Sequence, residues 1–138
     1  MLLSQTGSYA VRATVHLAEQ GSEQTVRVSE IAESIGVPRN YLSKVLHQLV
    51  RAGVLMSERG PRGGFALARD AHAITLAEIV RAVEMRPADR RCLLGRPECS
   101  DTDPCAAHSR WHELYDHISS FLEDTTLADL GRQAGGTT

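Results

Sequence analysis

The 138-residue chain has no apolar run approaching the ~18 residues that a bilayer-spanning helix needs, so no membrane span is expected. Its first residues, MLLSQTGSYAVR, show no basic segment followed by an apolar one. That speaks against a secretion leader and makes a cytoplasmic location the expectation. Aromatics are scarce, with one Trp, three Tyr and two Phe, so the place where they gather carries weight. Cysteine is limited to three, an odd number that argues against a disulfide framework. No cofactor fingerprint, nucleophile elbow or paired-carboxylate motif appears, and an enzyme is not expected. Hydrophobic residues at 42% and charged residues at 23% are ordinary for one globular core.

The formal net charge of −2 does not by itself suggest nucleic acid. Its distribution says more. Residues 1–69 hold 8 Arg and Lys against 5 Asp and Glu, and residues 70–138 hold 7 against 12. A mildly basic front and an acidic rear fit a DNA-facing module joined to one that is not.

Along the chain, Tyr9, Ala13, His16 and Leu17 recur at helical spacing and predict a first helix over 5–20. Val26–Val28 reads as a short strand. A second helix follows, opened by Val28 or Ser29 with the serine as cap, and ended by Gly36. Pro38 suits the first turn of a third helix, which Gly53 ends. Leu42, Val45, Leu46, Leu49 and Val50 form its apolar stripe. The opposite face offers Arg39, Asn40, Ser43, Lys44, His47 and Gln48. Two short helices meeting at a tight turn are the helix-turn-helix signature, and these polar side chains are the types that read base edges. The same face would also suit plain solvation, so the helix alone does not decide.

The next segment does. VLMSER, GPRGG and FALARD read as strand, turn, strand, with Val54, Met56, Phe65 and Leu67 alternating. A Gly-rich hairpin with Arg59 and Arg62, placed directly after such a helix, is a wing. Glycines permit close backbone approach, and arginine suits a narrow minor groove. A phosphate-cradling nucleotide loop would need a strand-loop-helix context and a Lys-Ser/Thr end, and neither is present. The fold class expected is therefore mainly α with a small β-hairpin: a winged helix-turn-helix followed by a long C-terminal dimerisation helix.

Residues 75–84 predict a fourth helix, and 86–104 a loop. Asp103 as cap and Pro104 open the last long helix, running to about Thr125. Trp111, Leu114, Tyr115, Ile118, Phe121 and Leu122 give it a long apolar stripe holding three of the six aromatics. Such a stripe fits a dimer seam better than burial within one small domain. The expected domains are a winged helix-turn-helix at 1–85, a cysteine-bearing loop at 86–105, a dimerisation helix at 106–130 and a flexible tail at 131–138.

The cysteines follow the pattern Cys92-x6-Cys99-x5-Cys105-x2-His108. Zinc knuckles use C-x2-C pairs, and none occurs. Loop-borne cysteines at wider spacing suit an iron–sulfur cluster, with His108 as candidate fourth ligand. Cys105 in the first turn of the last helix would let the helix dipole favour a thiolate and an anionic cluster. Redox-active thiols that form a disulfide are the alternative.

The runs SYAVRATVHLA, YLSKVLHQLVRAGVL and SERGPRGGFALARD, with the cysteine pattern and TTLADL, together resemble the Rrf2 family of bacterial regulators over about residues 1–130. The resemblance implies a homodimer that binds a palindromic operator in double-stranded DNA. In the branch that regulates through an iron–sulfur cluster, three Cys and one His hold a [2Fe-2S] cluster whose state alters which promoters are bound. Carried onto this chain, those ligands are Cys92, Cys99, Cys105 and His108, with the first gap one residue longer than in that branch. Members that sense nitric oxide hold a [4Fe-4S] cluster and use an acidic residue near the N-terminus, where this chain has Ser8. Others sense cysteine metabolism or thiol oxidation with no cluster. The mechanism expected has recognition helices in successive major grooves about 34 Å apart, with Arg39, Tyr41, Ser43, Lys44, His47 and Gln48 as contacts. An iron–sulfur electron-transfer protein is the rival from another class.

Overall fold

A computed structural model describes residues 3–21, 24–61, 63–84 and 106–136. Ser4 caps helix α1 (Gln5–Gln20) by accepting the Gly7 amide. Ala10, Ala13 and Leu17 line its buried side. Thr14 is also fully buried, and its hydroxyl donates back to the Ala10 and Val11 carbonyls, so no polar atom is stranded. Helix α2 (Val28–Ile35) starts two residues earlier than a Ser29 cap would place it. Arg27 holds the cap position and makes no side-chain cap bond. Gly36 ends it in the left-handed region, φ 71°, where residues with a Cβ are strained. Helix α3 (Arg39–Arg51) follows, with Pro38 at the cap rather than inside the first turn.

Strands β1 (Leu55–Glu58) and β2 (Gly64–Leu67) pair antiparallel, Leu55 opposite Leu67 and Glu58 opposite Gly64. The strand expected at Val26–Val28 reduces to one bridge: Val26 exchanges both backbone bonds with Phe65 at 2.8 Å, and Val28 already belongs to α2. A 3-10 turn (Ala71–Ala73) leads to α4 (Leu76–Val83), capped by Thr75 on the Glu78 amide.

The rear of the chain departs most from expectation. Helix α5 (His108–Asp124) begins at His108 with Ala107 at the cap, later than the expected start near Asp103; Cys105, expected in its first turn, lies outside the described residues. Asp103 and Pro104 lie outside the described residues. The helix ends at Thr125, and a separate helix α6 (Leu127–Gly136) follows. It carries helical structure into residues expected to form a flexible tail. The cause is local and tertiary together. The Thr126 amide donates to the Asp129 carboxylate at 3.0 Å and the Asp129 amide to the Thr126 hydroxyl at 3.3 Å, a reciprocal cap. Leu127 then plugs fully into the core, Leu130 packs on its edge, and α6 lies against α1.

One long-range contact closes the fold. Glu84, just past α4, accepts the Ser4 hydroxyl at 2.6 Å and the Ser4 amide at 3.2 Å. Gly7 makes room, because a Cβ there would stand 2.4 Å from the Glu84 carboxylate. Two effects therefore compete in Gly7→Ala. Alanine gains about 1 kcal/mol in helix propensity. Displacing the carboxylate from Ser4 costs about 2 kcal/mol, the range for hydrogen bonds to a charged group. The substitution is expected to destabilise the wild-type chain by about 1 kcal/mol and to stabilise a Glu84→Ala chain by a similar amount. Urea midpoints of the four chains check this reversal of sign; stabilisation in both backgrounds would remove the Glu84–Ser4 contact from the account.

Candidate nucleic-acid interface

The apolar stripe of α3 fixes what the helix shows to solvent. Leu42, Val45, Leu46 and Leu49 are between 0 and 2% exposed. With that face locked, Arg39, Asn40, Lys44 and His47 are exposed, while Ser43 and Gln48 are half-buried. Tyr41 is 38% exposed and turned toward α1: its hydroxyl meets the Thr6 hydroxyl, and its ring stands edge-on to Tyr9 at 5.5 Å. The Gln5 amide donates to the Tyr9 hydroxyl at 2.8 Å, so the first turn of α1 braces the start of α3.

Arg12 ties α1 to the turn between α2 and α3. Its guanidinium donates to the Ile35 carbonyl at the end of α2 and lies over the Tyr9 ring, 5.8 Å from its centre. Cationic donors on a helix's last carbonyls satisfy acceptors that the helix itself cannot.

The wing stands beside α3, and His47 joins the two, its ring edge-on to Phe65 of β2 at 5.5 Å. Met56, Ser57 and Glu58 of β1 are exposed, as is Arg59 at the turn. Arg62 lies outside the described residues. The wing glycines serve the protein before they serve any ligand. A Cβ on Gly63 would stand 2.3 Å from the Glu58 carbonyl, and one on Gly64 2.5 Å from the Val26 carbonyl. The groove between wing and α3 is lined by Arg39, His47 and Arg59, and also by Arg27, Ser29 and Ser57. Those last three were missed in the sequence. Arg27 carried one usable signal: a cation inside a stretch that reads as a strand next to a wing. Among the described residues, none of Arg27, Arg39, Lys44 and Arg59 takes part in an ion pair, whereas Arg69 pairs with Glu78 and Arg81 with Glu123.

The expected dimer stripe divides in two. Tyr115 and Leu122 border a cleft against Ala77 and Val80 of α4, and Leu122 packs on the core. Leu114 and Phe121 point away, 49% and 56% exposed, with Trp111 and Ile118 half-buried. Cys92, Cys99 and Cys105 lie outside the described residues, and of His108 the backbone alone is described, at the start of α5. Among the described residues, no three His, Cys, Asp or Glu gather as metal ligands, and no helix is long and apolar enough to cross a membrane.

Comparison with known proteins agrees with this architecture. Residues 3–133 match the Rrf2 family, described as an iron-dependent transcriptional regulator. The HTH-type transcriptional regulator IscR of Yersinia enterocolitica is 36% identical over 130 residues, covering 94% of this chain and 79% of that protein. Among solved structures, T. potens IscR superposes with a TM-score of 0.76 at 30% identity, covering 97% of this chain and 88% of that one. CymR, the global cysteine regulator of B. subtilis, gives 0.81 at 26% identity, covering 96% and 97%. The chain therefore belongs to the Rrf2 family of winged-helix DNA-binding transcription regulators.

Proposed function

We propose that this regulator binds a palindromic operator as a homodimer and that a [2Fe-2S] cluster held by Cys92, Cys99, Cys105 and His108 governs that binding. The observation that carries the DNA reading is the shared face of α3 and the wing, where Arg39, Asn40, Lys44, His47 and Arg59 are all exposed. Arg39 and Lys44 serve phosphates. Asn40, Ser43, His47 and Gln48 address base edges, with Tyr41 at the border toward α1. Arg59, joined by Arg62, enters the minor groove or meets the backbone. Replacing Arg59 by Ala is expected to weaken operator binding roughly tenfold at physiological salt and to reduce the log–log salt slope by about 1.8, one contact from each protomer. Fluorescence anisotropy over a salt series measures both, and unchanged affinity would exclude the wing from the interface.

A second copy of the chain is the partner for the outer face of α5. Leu114 and Phe121 expose large apolar surface about one turn to either side of Ile118, a spacing that suits a helix–helix seam. Phe121→Glu is expected to shift the protein to monomer in sedimentation velocity and to weaken binding to the full operator more than to a half-site. A dimer that survives the charge would move the seam elsewhere.

Three thiols and one imidazole form a donor set that suits iron in a small cluster, and the similarity to IscR supports that assignment. The cluster would supply a redox- and iron-dependent state, and the chain would supply its ligands from the stretch bounded by α4 and α5. Anaerobically purified protein is expected to carry about two iron and two sulfide per chain, with loss of both in Cys99→Ser. About four of each would favour the [4Fe-4S] alternative. Iron-free protein that binds operator would favour the cluster-free reading, which the CymR likeness supports, with the cysteines sensing thiol redox state or cysteine metabolism. Location in the cytoplasm accompanies either reading.

A further inference from the structure

We infer that Arg27 is a positioning residue for DNA binding: it holds the turn of the wing against the helical body and so sets where Arg59 is presented. The inference rests on reading Arg59 as a duplex contact. Arg27 occupies the cap position of α2, and its own helix gains no side-chain cap from it. Its guanidinium instead crosses to the wing and donates to the Pro61 carbonyl. Its neighbour Val26 pairs with Phe65 on β2. Residues 26 and 27 thus fasten the wing at two heights, the strand by a backbone bridge and the turn by a side chain.

The wing needs the upper fastening. Two four-residue strands make a hairpin that is marginal on its own in water. Its base is secured, because Leu55, Phe65 and Leu67 are buried. Beyond it, β1 is exposed from Met56 through Glu58, and the turn at Arg59–Pro61 is exposed as well. Among the described residues, the Arg27–Pro61 bond is what ties this turn to the body. A turn already held in place loses less conformational freedom when DNA binds, which favours affinity with no additional contact. Arginine suits the task because its fork of donors can hold a carbonyl while its charge still faces the groove that Arg39 and Arg59 line.

A double-mutant cycle tests this with the full-length dimer and a fluorescent operator duplex. Arg27→Met keeps the length of the side chain and removes donor and charge. With Arg59 present, Arg27→Met is expected to weaken binding roughly five- to tenfold; in an Arg59→Ala background, the further loss is expected to stay below about twofold. Equal losses in both backgrounds, with the salt slope lower by about 1.8 each time, one contact from each protomer, would overturn the inference and make Arg27 a direct phosphate contact. Amide exchange without DNA gives an independent readout at Gly63, whose N–H donates to the Gly60 carbonyl at 2.9 Å. Faster exchange there in Arg27→Met, with the core amides unchanged, is the expected result, and unchanged exchange overturns the tether. If Arg59→Ala alone leaves affinity intact, the wing reading falls while Gly63 exchange still reports on the tether.

Discussion

The rotation of α3 about its own axis is the constraint on which the proposed DNA-binding face depends. A helix presents one side to its partner and the other to solvent, and burial of Leu42, Val45, Leu46 and Leu49 leaves no freedom in that choice. Turning the helix by one residue, about 100°, would bring Lys44 or His47 toward the core and lift leucines into water, each leucine at roughly 2 kcal/mol. Its neighbours hold this rotation: Tyr41 is braced by Thr6 and Tyr9, and His47 is backed by Phe65. The side chains proposed to read DNA are thereby placed on a rigid element with supported neighbours, the arrangement that precise recognition requires.

The wing solves a different problem. It has too few residues to form a core, so its position is borrowed from elements on either side. The hairpin takes Val26 as a third, one-residue strand and Arg27 as a strut. Its glycines answer to the same need. Sequence reasoning assigned them to close approach of the duplex, yet Gly63 and Gly64 are already required by carbonyls of the protein itself, at Glu58 and Val26. The two roles are compatible, since a backbone tight enough to exclude a Cβ is also thin enough to enter a groove.

What the sequence made legible was whatever depends on periodicity and on punctuation by glycine. The α3 stripe, the Gly36 turn and the alternating strands around RGPRGG were all readable, because each follows from local geometry. The missing parts depend on tertiary partners. Ser43 and Gln48 share a polar pattern with Lys44, but half-burial appears only once neighbouring elements are in place. The start of α5 at His108 was obscured by the Asp103-Pro104 signal, and α6 by a Gly- and Thr-rich composition that reads as a tail. A reciprocal cap between Thr126 and Asp129, followed by one fully buried leucine, outweighs that composition. The T-x-x-D spacing was present in the sequence; the core position that makes it decisive was not.

The two halves of the molecule meet through α1 and α4 rather than through α3 alone. α5 packs on α4 and α6 on α1, and the Arg81–Glu123 ion pair joins α4 to α5 at the surface. The chain leaves α4 at Glu84, and there its carboxylate holds the Ser4 cap of α1. Two residues further along α1's start, Thr6 touches Tyr41 at the head of α3. Beside the direct packing of α4 on α3, a chain of hydrogen bonds from the end of α4 to the head of α3 therefore runs through one helical turn. A turn with its capping serine bonded to a distant carboxylate is stiff while that bond holds and frays when it does not, because the first N–H groups of a helix have no partners of their own. The geometry that positions Tyr41 is thus tied by hydrogen bonds to the end of α4, and the first turn of α1 links that point to the head of α3.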